Sequence, residues 1–169
     1  YGEFKEVVTL SDFIQKAALA SPGRVLEIDG RPIRSIAMIH CVGSRQIPGL
    51  HEPDESGCLN EYCSRTCCTA MLQAAARTRE THPGTRVYEF YRDIRTYGRG
   101  QEEVYERASK KGVVFLRYEA EQPPVVARPA EAAAYALEIS VADTLTFGEE
   151  VRVPADLVVL AVGMEPNPI

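Results

Sequence analysis

The chain has 169 residues, 45% hydrophobic and 25% charged, with 19 Lys and Arg against 24 Asp and Glu for a net charge of −5. That length fits one domain, and the composition excludes disordered, collagen-like and mucin-like chains. The acidic balance gives no electrostatic footprint for a nucleic-acid backbone or an anionic membrane, and no run approaches the ~18–20 apolar residues of a bilayer span.

Taken in chain order, Val7 to Ile14 is a short extended run feeding a helix, with Ser11 as N-cap and Ser21-Pro22-Gly23 as its stop. Arg24 to Asp29 reads as a strand turned by Asp29-Gly30, and Ser35 to Cys41 as a buried strand of the parallel kind. Residues 42–62 carry Pro48-Gly49, Pro53-Asp54 and Ser56-Gly57 without apolar periodicity, which predicts a long loop of the sort kept for function. A helix is expected from Ser64 or Thr66 to about Thr81, ended by His82-Pro83-Gly84. Arg86 to Ile94 follows as a strand, Gln101 to Lys111 as an amphipathic helix stopped by Gly112, and Val113 to Tyr118 as another strand. Residues 121–134 read as a Pro- and Ala-rich connection. Tyr135 to Ala142 and Glu150 to Val153 read as a hairpin, and Asp156 to Val162 as a last buried strand. The order predicts an α/β fold: a Rossmann-like three-layer open sheet, mostly parallel, with a small antiparallel addition. The first residue is Tyr, not Met, and Val158 to Gly163 runs into a Pro-rich exit, so the chain reads as a piece of a longer one.

In a nucleotide-binding sheet of this plan the first buried strand runs into G-x-G-x-x-G, because only glycine lets the backbone approach a pyrophosphate. Here it runs into Ile39-His40-Cys41-Val42-Gly43-Ser44-Arg45, which keeps one glycine of the motif. The expectation is a degenerate domain that has lost nicotinamide nucleotide.

All five cysteines lie between Cys41 and Cys68. Such clustering points to a metal or redox site in a reducing, cytoplasmic compartment rather than to a secreted disulfide framework. Cys41, Cys63, Cys67 and Cys68 form C-x(21)-C-x(3)-C-C. If the turn is helical, positions 63 and 67 share a face, so three sulfurs meet near a positive helix end that favours thiolates, with Arg45 and Arg65 available to balance charge. A [4Fe–4S] cluster, held by four thiolates on separate irons, is the leading reading. A four-thiolate zinc site is the second, although zinc prefers paired knuckles, and buried inert thiols are the third. A disulfide between the adjacent Cys67 and Cys68 is disfavoured by their Cα spacing of about 3.8 Å. Cys58 reads as a bystander. His40 is expected to pack near the site, Asp93 and Arg95 to form a solvated ion pair, and Tyr88, Tyr91 and Tyr97 to pack in the core or rim. No residue reads as catalytic.

Ile39 to Arg45 followed by Tyr62-Cys63-Ser64-Arg65-Thr66-Cys67-Cys68 resembles the signature of the A-type subunit of heterodisulfide reductase, an iron–sulfur flavoprotein of methanogens and other anaerobes. Phe90 to Gly100, Glu102 to Ala108 and Asp156 to Pro166 are similar to the same protein. The resemblance implies a thioredoxin-reductase-like core whose would-be nucleotide domain carries a [4Fe–4S] cluster on Cys41, Cys63, Cys67 and Cys68, with FAD bound by flanking parts of the parent protein. It implies a connecting helix and strand over 1–34 and the degenerate domain over 35–169, with a cysteine-rich insertion at 41–68. Gly163 and Pro166 fall where the chain returns towards the FAD half, and are taken as cofactor-binding. The implied partners are the other subunits of a heterodisulfide reductase-like complex and hydrogenase- or dehydrogenase-linked iron–sulfur proteins. The loop between Cys41 and Cys63, which holds Cys58, is longer than in the family pattern. The expected role is an electron-transfer domain inactive alone; the alternatives are a zinc-stabilised docking module and, more weakly, a working NAD(P)H domain.

Overall fold

The computed structural model describes residues 2–164. β1 (Val7–Thr9) passes directly into α1 (Leu10–Leu19). The N-cap is Thr9, not Ser11: Thr9 Oγ1 accepts from the Asp12 amide at 3.2 Å, and the Asp12 carboxylate accepts from the Thr9 amide at 3.4 Å. This reciprocal box satisfies two donors that Ser11, already inside the first turn, cannot reach. β2 (Leu26–Ile28) turns at Asp29-Gly30 as expected, both left-handed at φ 51° and 72°, but then pairs antiparallel with a further short strand, β3 (Arg31–Ile33), that the sequence does not announce.

β4 (Ser35–Ile39) is buried at all five positions. A long segment without helix or strand then leads to α2 (Cys67–Thr81), followed by β5 (Arg86–Tyr91), α3 (Gln101–Lys110) and β6 (Val114–Arg117). The buried side chains of α2 include Cys68, Met71, Leu72, Ala75 and Ala76, the i, i+3, i+4, i+7, i+8 stripe of a helix facing a core. α3 carries Glu102 and Glu103 in its first turn and Arg107 and Lys110 in its last, complementing the helix dipole. β7 (Val125–Ala127), β8 (Leu137–Asp143) and β9 (Glu149–Ala155) make an antiparallel sheet, and β10 (Leu157–Leu160) returns to the first. β7 lies within the stretch expected to be connection, so the antiparallel addition has three strands, not two.

The main sheet has the order β1-β10-β4-β5-β6 and every pair in it is parallel. Alternation along its strands divides the core in two. Ile36, Met38, Leu157 and Val159 pack with Phe13, Met71, Leu72 and Ala108 on the helical face. Ala37, Ile39, Val158 and Leu160 pack with Leu137, Ile139 and Val153 of the antiparallel sheet on the other. The third layer is therefore a sheet rather than helices. Each buried Ile, Leu or Val contributes about 1.5–3 kcal/mol, so a charge introduced at Ile36 or Val159 disrupts the layering.

At the end of the sheet where its strands begin, hydrogen bonds close on themselves. Asp156 Oδ2 accepts from the amides of Arg34 (2.7 Å) and Ser35 (3.1 Å), and Thr85 Oγ1 accepts from the Leu26 amide (2.9 Å) while donating to Ile33 O (2.7 Å). Among the described residues no helix is long and apolar enough to cross a membrane.

Candidate metal centre

The C-terminal ends of the neighbouring strands β4 and β10 deliver two chain segments to one place. Past β4, Val42 N donates to Ala161 O at 3.1 Å and Ala161 N donates to Ile39 O at 2.9 Å, stitching the turn to the exit from β10. Cys41 sits in this turn with φ 61°, a left-handed backbone that a residue with a side chain seldom adopts. The following loop is ordered by pairing its two legs: the Arg45 amide donates to Tyr62 O (3.2 Å) and the Gln46 amide to Asn60 O (2.9 Å). At its tip, Asp54 Oδ1 accepts from the amides of Ser56 and Cys58, both at 2.9 Å. The loop thereby carries Cys58 to an exposed position and brings Cys63 back to the start of α2.

Cys41, Cys63, Cys67 and Cys68 line a single cavity together with Ser44, Ser64 and three arginines, Arg45, Arg65 and Arg95. The route differs from the expected one. α2 begins only at Cys67, and Arg65 at φ 64° precludes a helical turn through residues 63–66, so Cys63 arrives by the loop and not by helical spacing. Pro166, with Glu165 and Asn167, lies outside the described residues. Gly163 packs behind two serines that line the cavity: at φ +79° a Cβ there would stand 3.0 Å from Ser64 Oγ and 3.2 Å from Ser44 Cβ. The adjoining Met164 amide donates to Ser64 Oγ at 2.9 Å, and Tyr62 Oη donates to Met164 O at 2.6 Å. Backbone leaving β10 thus supports the serines of the wall, a role that the glycine of a strand exit does not announce in sequence.

The sulfurs meet donors and positive charge. Arg45 Nη1 donates to Cys41 Sγ at 3.5 Å and the Arg65 amide to Cys63 Sγ at 3.4 Å. Asp93 holds the guanidiniums in place, accepting from Arg45 Nη2 at 2.8 Å and from Arg95 Nε at 3.0 Å. Burial opposes the ionisation of Asp93, but these two arginines outweigh it and hold its carboxyl below the usual range. The pair Asp93 and Arg95 is the solvated ion pair expected, and through Arg45 it also braces the cavity.

The helix start does not treat its two cysteines alike. Burial, with the neighbouring Cys68, pushes the Cys67 thiol up, against hydrogen bonds from Thr66 and the Gly163 amide. Burial also opposes the Cys68 thiolate, but hydrogen bonding and attraction to His40 outweigh it and pull that thiol down. His40 and Glu89 are both fully buried, with His40 Nε2 and Glu89 Oε2 2.9 Å apart. Burial disfavours the charged imidazole, yet Cys68 and Glu89 together push it up to about 10. Sequence reasoning missed Glu89, whose only signal was a carboxylate standing among apolar residues in a strand.

Among the described residues, no three His, Cys, Asp or Glu side chains are drawn together as ligands of one metal ion.

No protein-family model matches the chain. It is 40% identical over 172 residues to an A-type iron-sulfur subunit of CoB–CoM heterodisulfide reductase from Methanopyrus kandleri, covering 97% of this chain and 23% of that protein. It is 37% identical over 173 residues to the A-type iron-sulfur subunit of CoB–CoM heterodisulfide reductase from Methanocaldococcus jannaschii, covering 99% and 24%. The A-type subunit of the H2:CoB–CoM heterodisulfide, ferredoxin reductase of Methanothermobacter marburgensis is 34% identical over 173 residues, covering 98% and 23%. The chain spans about a quarter of the length of these curated relatives.

Proposed function

The chain belongs to the family of heterodisulfide reductase A-type subunits, and on that premise we propose that it is an electron-transfer segment in which Cys41, Cys63, Cys67 and Cys68 hold a [4Fe–4S] cluster. The observation that carries this reading is that the four thiols of the C-x(21)-C-x(3)-C-C pattern line one cavity while Cys58 does not. The donor set fits such a group. A single zinc with Zn–S bonds of about 2.3 Å draws its sulfurs to about 3.8 Å of one another and favours paired cysteine knuckles, of which the C-x(21)-C-x(3)-C-C pattern holds only one. Thiolates that each bind a separate iron stand farther apart, and Arg45, Arg65 and Arg95 offset the negative charge of such a centre. When bound, a cluster of this kind supplies a one-electron carrier; the chain places it, shields it and sets its potential.

The setting supports a Rossmann-like origin. Read from the edge, β6-β5-β4-β10 follows the 3-2-1-4 order of a doubly wound half. The cavity lies beyond the C-terminal ends of β4 and β10, where the strand order reverses and such sheets take their ligands. The cysteine loop occupies the position of the glycine-rich phosphate loop, so nicotinamide nucleotide is displaced. FAD belongs to other parts of the parent protein, and the partners are the remaining subunits and iron–sulfur proteins of a heterodisulfide reductase-like assembly.

Anaerobic reconstitution with ferrous iron and sulfide tests the reading. The expected product holds about four iron and four sulfide per chain, absorbs in the visible and gives an electron paramagnetic resonance signal after reduction. A colourless protein that binds one zinc and no sulfide would replace it with the docking-module reading. NADH or NADPH at saturation is expected to leave the melting temperature unchanged, since binding at a hundredfold Kd would add about 2.7 kcal/mol.

A further inference from the structure

At the end of the sheet where hydrogen bonds otherwise close on themselves, one buried group is left out. His82, the residue that caps the end of α2, is only 3% exposed. Its amide donates to Thr78 O at 2.8 Å and its carbonyl accepts from the Thr85 amide at 2.9 Å, which fixes its backbone, yet Nδ1 of the ring is buried with no hydrogen-bond partner. Buried polar atoms are ordinarily paired, and an unpaired one beside open space points to a partner supplied from outside. The open space is there: His82 lines a groove of about 560 Å³ between α1 and α2.

The rest of the groove is sorted by chemistry. Ile14, Ala17 and Ala18 line it from α1, and Ala70 and Ala74 from α2, a mostly short-chained apolar surface on which another backbone can lie close. Ile14 is 45% exposed, and Leu19 at the end of the same helix is 88% exposed. The hydroxyls of Thr78 and Thr81 turn back onto their own helix, donating to Ala74 O at 2.8 Å and Arg77 O at 2.9 Å. Arg77 and Arg107, both exposed, supply a positive rim. Among the described residues neither guanidinium has a carboxylate within ion-pair distance, whereas Glu80, which also lines the groove, is taken up by Lys111 at 3.6 Å and Glu106 by Lys110 at 2.6 Å. In a chain of net charge −5, two unpaired arginines beside an apolar groove are charge left for a partner.

We propose that the groove between α1 and α2 is a docking site for an acidic amphipathic helix of a partner protein. Its apolar stripe lies on Ile14 and the alanines, its carboxylates face Arg77 and Arg107, and one of its polar side chains pairs with the His82 ring. A helix suits the place because the groove offers side chains and no free sheet edge for main-chain pairing. An acidic one suits it because a basic helix would bring like charge onto both arginines. Nothing in this assignment depends on what the cysteines hold.

The test is fluorescence anisotropy with two labelled synthetic helices, each carrying leucines at i, i+3, i+4 and i+7, one flanked by glutamates and the other by lysines. The wild-type chain is expected to bind the glutamate helix at least about tenfold more tightly than the lysine helix, and Arg77→Glu with Arg107→Glu to invert that preference. Ala74→Arg, which lays a long side chain across the floor, is expected to abolish binding of both. In the wild-type complex the ring 15N resonances of His82 are expected to move. Absence of binding, equal binding of the two helices, a preference unchanged in the double variant, or His82 resonances that stay in place overturns the proposal. A wild type that sediments as a dimer, and as a monomer once Ala74 is replaced by Arg, gives the groove to a second copy of the chain and overturns it as well. Should Ala74→Arg fail to fold, the charge inversion at the two exposed arginines decides alone.

Discussion

The two ends of the parallel sheet are built on opposite principles. Where the strands begin, main-chain groups are closed off by side chains: Asp156 on Arg34 and Ser35, Thr85 between Leu26 and Ile33, and Arg79 on the carbonyls of Pro83, Thr85 and Lys111. Where the strands end, the backbone is strained and buried polar atoms are left open. Of the five non-glycine residues with left-handed φ among the described residues, Cys41, Arg45 and Arg65 surround the cysteine cavity. Nδ1 of His40, Oε1 of Glu89 and Nε of Arg92 lack partners nearby. One end holds the fold together, and the other spends stability on presenting sulfur, which is where a site is to be sought.

Substitutions at the two ends separate these roles. The largest expected effect is on metal loading: Cys68→Ser abolishes iron and sulfide uptake, measured per chain, whereas Cys58→Ser leaves it unchanged because Cys58 lies at the exposed loop tip. Next is Asp156→Ala, which leaves two amides unpaired; a loss of about 2–3 kcal/mol and roughly 4–12 °C in Tm is expected, with loading retained if the protein is folded. Gly163→Ala pushes a methyl against Ser64 and Ser44 from a left-handed backbone, costing about 1–2 kcal/mol in chemical denaturation and lowering cluster occupancy. Arg65→Gly reverses the sign: it relieves the left-handed strain at an exposed position and stabilises the metal-free chain by about 1 kcal/mol. A destabilising Arg65→Gly would break the contrast between the two ends.

The smallest expected effect concerns pH. Burial opposes ionisation of Glu6, but its hydrogen bond from Arg128 at 2.9 Å outweighs this and holds the carboxyl below 4.5. With the folded value depressed, its contribution to stability is present above the ordinary carboxylate range and is lost as pH falls through the folded value. Glu6→Gln is expected to flatten the acid side of the stability curve below about pH 4.5 and to leave its neutral shape alone, measured by Tm against pH.

Most of the sheet is legible in the sequence because its strands are short uninterrupted apolar runs; Ser35–Ile39 has no other use than a strand buried on both faces. β7 is not, because Val125 and Ala127 are exposed and follow Pro123-Pro124, leaving no alternation to read. Ser11 has the chemistry of a cap, yet Thr9 and Asp12 hold the reciprocal pair, a matter of two hydrogen bonds that composition does not order. At the site, clustering alone points to four sulfurs on one cavity, but the helical relation of Cys63 to Cys67 fails on a single left-handed residue, Arg65. The bracing by Asp93 and Glu89 is invisible for a plainer reason: Glu89 lies 49 positions from His40 and Asp93 lies 48 from Arg45, across parallel strands that only tertiary structure brings together.

The insertion of β10 between β1 and β4 also governs the order of assembly. Val7 pairs with Val158 and Ala37 with Val158 from the other side, so a central strand of the sheet is made from residues translated long after both its neighbours. Until it arrives, β4 shows a bare apolar edge and β1 has nothing to join, and contacts of such long loop closure form slowly. The serines of the cysteine cavity, Ser44 and Ser64, are backed by Gly163 just past that strand, so the support behind the sulfurs arrives with the last strand to be made.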